Sequence, residues 1–298
     1  MKSNMQNQHR SLARVLESFG KCYDEAHSIW VKQVGLPSDH RQLLDSPIDA
    51  LLYFTRYAHE RAGRNPRFPV YHRIAIKKAC GTGLDIMSPA FPTSVWQTFE
   101  RQTPYDERKG RHKTNEKLTQ GPVMEVLVSL QKSREPNLIA LLRRMSLKEA
   151  HKWLTDINGI GNKVASLFLR DIWYFIGEWP NTPPTDRKFL QPVDVWVRSL
   201  SERAFQGAWP RADLAFAEQI VNRCKSVGID PIEFNKGAWF VGSHFDRLCN
   251  FFAVPETRRV DETYRVDFDI ARAFQATAVL KGITSFRDAE AKKSIFWV

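Results

Sequence analysis

The feature that most limits how this chain can fold is the spacing of its apolar residues. They recur every three to four positions along most of the length, while alternating β-branched stretches are few. Such spacing lines apolar side chains along one face of a helix, so the sequence predicts an all-α protein. A first helical block spans 11–34. A second, 47–64, carries Ala50, Leu51, Leu52, Phe54 and Tyr57 towards a buried face before Pro66 and Pro69 break it. Residues 103–119 turn polar and charged and predict a surface loop or insertion. The charge of its 106–113 stretch, Asp-Glu-Arg-Lys-Gly-Arg-His-Lys, suits a phosphate backbone and equally a solvated loop.

Strong periodicity resumes over 123–130 and 138–145. Ser146 and Glu149 then have the spacing of a capping box at a helix start. That helix brings Ala150, Trp153 and Leu154 to a short turn, Asn158-Gly159-Ile160-Gly161, and a second helix follows at once. Its residues from Val164 to Ile176 are apolar on nearly every side, which predicts a path through the core. A Pro-rich connection over 179–192 leads to a helix opened by Asp194. Further helices are predicted near 212–226 and 231–252, with a last pattern over 261–278. There is no internal repeat or low-complexity tract.

A chain of 298 residues can bury a sizeable core, as one large domain or as two lobes. Its balance of 44 Lys+Arg against 33 Asp+Glu gives a net charge of +11, which favours a polyanionic partner without naming a reaction. The four cysteines, Cys22, Cys80, Cys224 and Cys249, lie far apart, at neither zinc nor iron–sulfur spacing. No side-chain metal site, cofactor or disulfide framework is implied. The polar N-terminus lacks a signal-peptide core, and no apolar run reaches membrane-spanning length without charges, so a soluble, cytoplasmic protein is expected.

Chemistry concentrates in two places. Gly159 and Gly161 allow a sharp helix–helix corner in which the backbone N–H groups opening the second helix point outward. Such a corner serves as a tight turn or, with the helix dipole, as a cradle for one phosphate. Lys163 stands in the first turn of that helix, where the positive end of the dipole and partial burial both disfavour a protonated amine. A neutral amine is the nucleophile that attack on a sugar C1′ requires, although an ordinary solvated lysine also fits the position. Asp194 is placed to cap a helix. A capping carboxylate at a cleft also stabilises an oxocarbenium-like sugar and helps to deprotonate an amine. Asp186, in the Pro-rich connection, is a rival carboxylate without the flanking valines or the following helix.

Taken in order, Ile157-Asn-Gly159-Ile-Gly161-Asn-Lys163-Val-Ala165 and Pro192-Val193-Asp194-Val195 resemble the helix-hairpin-helix DNA glycosylases over residues 146–202. The resemblance implies a two-lobed all-α fold with an active-site cleft between lobes. It makes Lys163 the Schiff-base nucleophile, Asp194 the essential carboxylate, and the amides of Gly159, Gly161 and Val164 the phosphate contacts. It also implies that hairpin carbonyls, here those of Thr155, Ile157 and Ile160, hold a monovalent cation. The expected division is an N-terminal segment over 1–120, a hairpin lobe over 121–205, and a C-terminal segment over 206–298 that packs with the first.

Two features depart from the best-known branches. The interval between Lys163 and Asp194 is longer than in endonuclease III or the eukaryotic 8-oxoguanine enzymes, and Trp196 replaces a frequent His. The longer interval, like the stretch Asn235-Lys-Gly-Ala-Trp239-Phe-Val-Gly242, is more similar to the archaeal 8-oxoguanine DNA glycosylases. The implied partner is double-stranded DNA carrying a damaged or modified base, without an obligate protein partner. The implied activity is base excision with abasic-site lyase chemistry. A flipped base needs stacking surfaces and polar contacts, and Trp239, Phe240 and His244 are candidates on one helix, although core aromatics and a surface His would look the same. Three readings follow: excision of an oxidised purine such as 8-oxoguanine; excision of a bulky hypermodified or glucosylated pyrimidine from phage DNA as antiviral defence; and a non-catalytic DNA-binding module that retains the hairpin.

Overall fold

The computed structural model describes residues 2–59, 68–103 and 115–244, with side chains over 12–59, 68–103 and 121–242. All regular structure among them is helical: α1 (Lys2–Gln33), α2 (Pro47–Ala58), α3 (Phe68–Gly81), α4 (Ala90–Gln102), α5 (Asn115–Ser133), α6 (Leu138–Arg143), α7 (Leu147–Thr155), α8 (Asn162–Phe175), α9 (Val195–Ala204), α10 (Asp213–Val227) and α11 (Pro231–His244). Short 3-10 turns cover His40–Leu44, Trp179–Asn181 and Arg187–Leu190. The all-α expectation therefore holds for the described residues. None of their helices is long and apolar enough to cross a membrane.

Several element boundaries differ from the sequence expectation. The first block is longer than 11–34 at its N-terminal end, because α1 already begins at Lys2. Pro69 sits in the first turn of α3 instead of ending a helix, a place where a proline loses no intrahelical hydrogen bond. The polar stretch over 103–119 is not loop throughout: α5 starts at Asn115 and runs through Pro122. The 106–113 segment and the pattern over 261–278 lie outside the described residues. The Pro-rich connection contains two 3-10 turns that apolar spacing does not reveal.

The described chain forms two compact units. One combines the residues up to Ile29 with those from Leu190 on, and the other runs from Trp30 to Phe189. Their limits differ from the sequence-drawn divisions at 120 and 205. In the larger unit, α8 buries every residue from Val164 to Trp173, as its nearly all-round apolar sequence requires. Helix α2 packs against it and buries Ala50 through Ala58. Phe54, Tyr57 and Phe168 meet edge to face at 5.2 Å, the arrangement that ring quadrupoles favour. One buried polar group within this core is well provided for. Asp171 accepts from the Arg170 guanidinium at 2.9 Å and from the Tyr57 hydroxyl at 2.8 Å, which offsets its desolvation.

In the other unit, the N-terminal part of α1 packs closely on α11. A Cβ at Gly237 would run into the Leu16 carbonyl, and one at Gly20 would meet the Glu233 backbone at 2.8 Å, so two glycines permit this approach. Lys236 is fully buried there. Its ammonium is held by Asp24 at 2.7 Å and Glu233 at 2.7 Å, which balances the charge where water does not reach. Helix α10 ends on Gly228, whose left-handed φ of 70° closes the C-terminus.

Candidate active site

The hairpin is assembled from two local rules and one long-range contact. Ser146 and Glu149 form the reciprocal capping box that starts α7: the Ser146 hydroxyl accepts from the Glu149 N–H, and the Glu149 carboxylate accepts from the Ser146 N–H at 2.9 Å. Gly159 adopts φ 87°, a conformation that L side chains rarely take, and this lets the chain reverse between α7 and α8. The Ile160 N–H donates to the Ile157 carbonyl at 3.0 Å and tightens the reversal. From outside the motif, Glu125 of α5 accepts the Asn158 N–H at 2.8 Å. One turn earlier on α5, Gly121 lies so close to the same residue that a Cβ there would stand 3.0 Å from the Asn158 carbonyl. Gly121 and Glu125 thus form a clamp on the turn that the motif itself does not reveal.

Helix α8 opens on Gly161 without a side-chain cap. Its first intrahelical bond runs from the Ala165 N–H to the Gly161 carbonyl at 3.0 Å, so the N–H groups of Asn162, Lys163 and Val164 precede the helical ladder. A Cβ at Gly161 would meet nothing within 4 Å, so packing within the protein does not demand a glycine there. Gly161 and Asn162 are exposed, Lys163 is half-buried and Val164 is buried. The hairpin therefore groups Gly159, Gly161, Lys163 and Val164 at one helix start. Thr155 ends α7, and Ile157 and Ile160 lie in the turn, where the Ile157 carbonyl accepts the Ile160 N–H.

Behind the turn, His151 of α7 is 4% exposed and packs against Phe189 at 5.3 Å. Burial pushes its imidazole below the usual 6.5, opposed by a backbone contact with Asn162. This histidine carries no signal in sequence beyond its place on the buried face of α7.

In the other unit, Asp194 is the N-cap of α9. Its Oδ1 accepts from the Trp196 N–H at 3.0 Å and the Val197 N–H at 2.9 Å, with φ −132° and ψ −174°. The side chain is half-buried, and neighbouring Val195 is 69% exposed. Asn235 of α11 donates to the Pro192 carbonyl at 3.1 Å, tying the Pro-Val-Asp stretch to that helix. Gly242, two turns further along α11, leaves room for Trp196, whose side chain a Cβ at 242 would strike. The rival Asp186 belongs with Lys163 to the larger unit, where it lines a cavity of about 750 Å³ together with Arg143, Arg144, Trp173 and Glu178.

Two of the base-pocket candidates on α11, Trp239 and Phe240, are buried. Trp239 is 5% exposed and meets Tyr23 edge-on at 5.7 Å; Phe240 is 3% exposed and stacks on Phe19 at 6.5 Å. Both contacts are with α1. His244 ends α11, with its side chain outside the described residues. At each cysteine among the described residues, burial works against the thiolate. Burial raises Cys22 to about 11 and Cys224 well above its usual value, so both stay protonated at neutral pH.

Comparison with protein-family models, curated proteins and solved structures finds no match to this chain.

Proposed function

We propose that this chain is a two-lobed helix-hairpin-helix DNA glycosylase that removes a damaged or modified base through the amine of Lys163, with Asp194 as its partner carboxylate. The observation that carries the reading is the uncapped start of α8, where Gly161 leaves the helix end open and Lys163 occupies the first turn. Amides at such an end hold a phosphate without reading sequence, which positions a nucleotide beside the lysine. The net charge of +11 supports a polyanionic partner.

In this mechanism the Nζ of Lys163 attacks C1′ of the target nucleotide as the glycosidic bond breaks. The base leaves with the bonding electrons and acquires a proton, while the attached amine gives up its own. Ring opening converts the adduct to a Schiff base, from which strand cleavage proceeds by elimination. The Asp194 carboxylate stabilises positive charge on the sugar and accepts the lysine proton. Its capping bonds hold it at one orientation for that task. An oxidised purine such as 8-oxoguanine is the proposed substrate, on the strength of the resemblance to the archaeal enzymes.

The test is base release, measured by chromatography and mass spectrometry. It uses duplexes carrying 8-oxoguanine, glucosylated hydroxymethylcytosine or no lesion, with wild type and Lys163→Gln compared. Release of 8-oxoguanine that the substitution abolishes is the expected result. Release of the glucosylated base alone would move the substrate to bulky pyrimidines and retain the mechanism. Binding without release from any duplex would leave a DNA-binding module.

A further inference from the structure

The cavity of about 750 Å³ that Asp186 lines lies wholly within the larger unit, and the proposed chemistry does not use it. Its volume is in the range that takes a small organic molecule. The end of α6, the start of α7, the last turn of α8 and the 178–186 connection line it. Trp173 lies about 15 Å further along α8 than Lys163, at roughly 1.5 Å of rise per residue, so the cavity is a place apart from the nucleophile. Much of its wall is apolar: Trp173 and Leu147 are 7% and 5% exposed, and Leu44, Ala140 and Met145 are half-buried. Its charged groups balance, Arg143 and Arg144 against Glu178 and Asp186, which favours a ligand without net charge. Both guanidiniums are already engaged. Arg143 donates from Nε at 2.9 Å and from Nη2 at 2.5 Å to one oxygen of Glu178, and Arg144 pairs with Glu135 at 2.5 Å. The backbone of Asp186 is fixed, its N–H donating to the Pro183 carbonyl and its C=O accepting from the Phe189 N–H, both at 2.9 Å. Its carboxylate, half-buried, makes no hydrogen bond or ion pair among the described residues. Two unspent carboxylate oxygens accept best from two neighbouring N–H groups. Asn181 and Trp173 line the same cavity and bring side-chain N–H donors, from which a ligand carbonyl can accept.

We propose that this cavity binds a guanine-type base, with its two adjacent N–H groups on the Asp186 carboxylate and its ring against the apolar wall that Trp173 and Leu147 form. The pairing edge of guanine carries the required order of groups, two neighbouring donors followed by a carbonyl, on a flat and uncharged ring. Adenine presents one donor beside an acceptor nitrogen on that edge, which would set a lone pair against a carboxylate oxygen. An alkyl guanidinium has the paired donors but lacks the carbonyl and adds a charge. The site does not rest on the glycosylase reading.

The experiment combines saturation-transfer NMR and calorimetric titration with 2′-deoxyguanosine, 2′-deoxyadenosine and agmatine, for wild type, Asp186→Asn and Ala140→Phe. Wild type is expected to bind one deoxyguanosine per chain, and to bind deoxyadenosine and agmatine at least about tenfold more weakly. Asp186→Asn replaces one acceptor oxygen with a donor and should weaken deoxyguanosine binding at least about tenfold. Ala140→Phe adds a ring at the cavity wall, leaves Asp186 in place, and should weaken binding as well. Lys163→Gln should bind deoxyguanosine as wild type does, so failure of this site and failure of the glycosylase reading are distinguishable. A short single strand with one central guanine separates two sources of the base: displacement of deoxyguanosine by that strand identifies a base within a strand, and no displacement identifies the free nucleoside. No saturation transfer to deoxyguanosine at millimolar concentration overturns the site. Equal binding of deoxyadenosine, preferred binding of agmatine, or undiminished deoxyguanosine binding in Asp186→Asn does so too.

Discussion

Asp194 caps α9, and substitution can separate that cap from its proposed catalytic role, because asparagine caps a helix about as well as aspartate but cannot accept a proton at neutral pH. Asp194→Asn should keep stability within about 0.5 kcal/mol of wild type, whereas Asp194→Ala should lose roughly 1 kcal/mol with the cap. Both should lower base release by about a hundredfold or more, since both remove the carboxylate. Urea denaturation alongside single-turnover base release checks this; full activity in the Asn variant would reduce Asp194 to a cap. Gly237 makes a purely structural prediction. A methyl group there meets the Leu16 carbonyl, which belongs to a helix backbone and has little freedom to retreat. Gly237→Ala should therefore cost about 2–3 kcal/mol, read as a lower urea midpoint. Sequence shows a glycine at 237 but not what faces it, and the same holds for Gly121 and Gly242. Trp239 and Phe240 illustrate the limit from the other side. Their composition and helical position fit a stacking platform as well as a core, and only their contacts with Tyr23 and Phe19 show core packing.

The hairpin shows how far local pattern reaches at the level of an element. The capping box, the glycine turn and the start of α8 all follow from residues within about one turn of each other, so they were legible in order along the chain. The clamp from α5 was not, because Glu125 and Asn158 are separated by 33 positions and meet only through tertiary packing. The Pro-rich connection resisted reading for a different reason: 3-10 turns of three or four residues are too short to generate an apolar period. If the clamp holds the turn in the shape that presents its amides, Glu125→Ala should cost about 1 kcal/mol of stability. It should also speed hydrogen exchange at the Asn158 N–H and weaken DNA binding. Unchanged exchange at Asn158 would show that the turn holds itself.

For the molecule as a whole, His40 and His151 contribute a dependence of stability on acid. Burial lowers both His40 and His151 below the usual 6.5, and for His40 the nearby Asp171 opposes the shift without cancelling it. The unfolded chain therefore binds protons that the folded one refuses, so stability rises with pH across this range. It should be complete above about pH 7 and should fall as pH drops through 6.5 towards the folded-state values. Urea midpoints at about pH 5.5 and 7.5 measure the loss, and His151→Gln should reduce it. The net charge of +11 acts at longer range. If DNA is held through its phosphates, affinity should fall at least roughly tenfold between about 50 and 200 mM salt, which fluorescence anisotropy can follow. Lys163 and Asp194 lie in different compact units, so the proposed chemistry is a property of the whole chain and not of one motif. Its most direct test is borohydride trapping on an abasic duplex, followed by peptide mapping of the reduced adduct. A covalent complex linked through Lys163, and lost in Lys163→Gln, is the predicted result. No trapped complex on abasic DNA, or an adduct on another residue that survives the substitution, would contradict the amine mechanism.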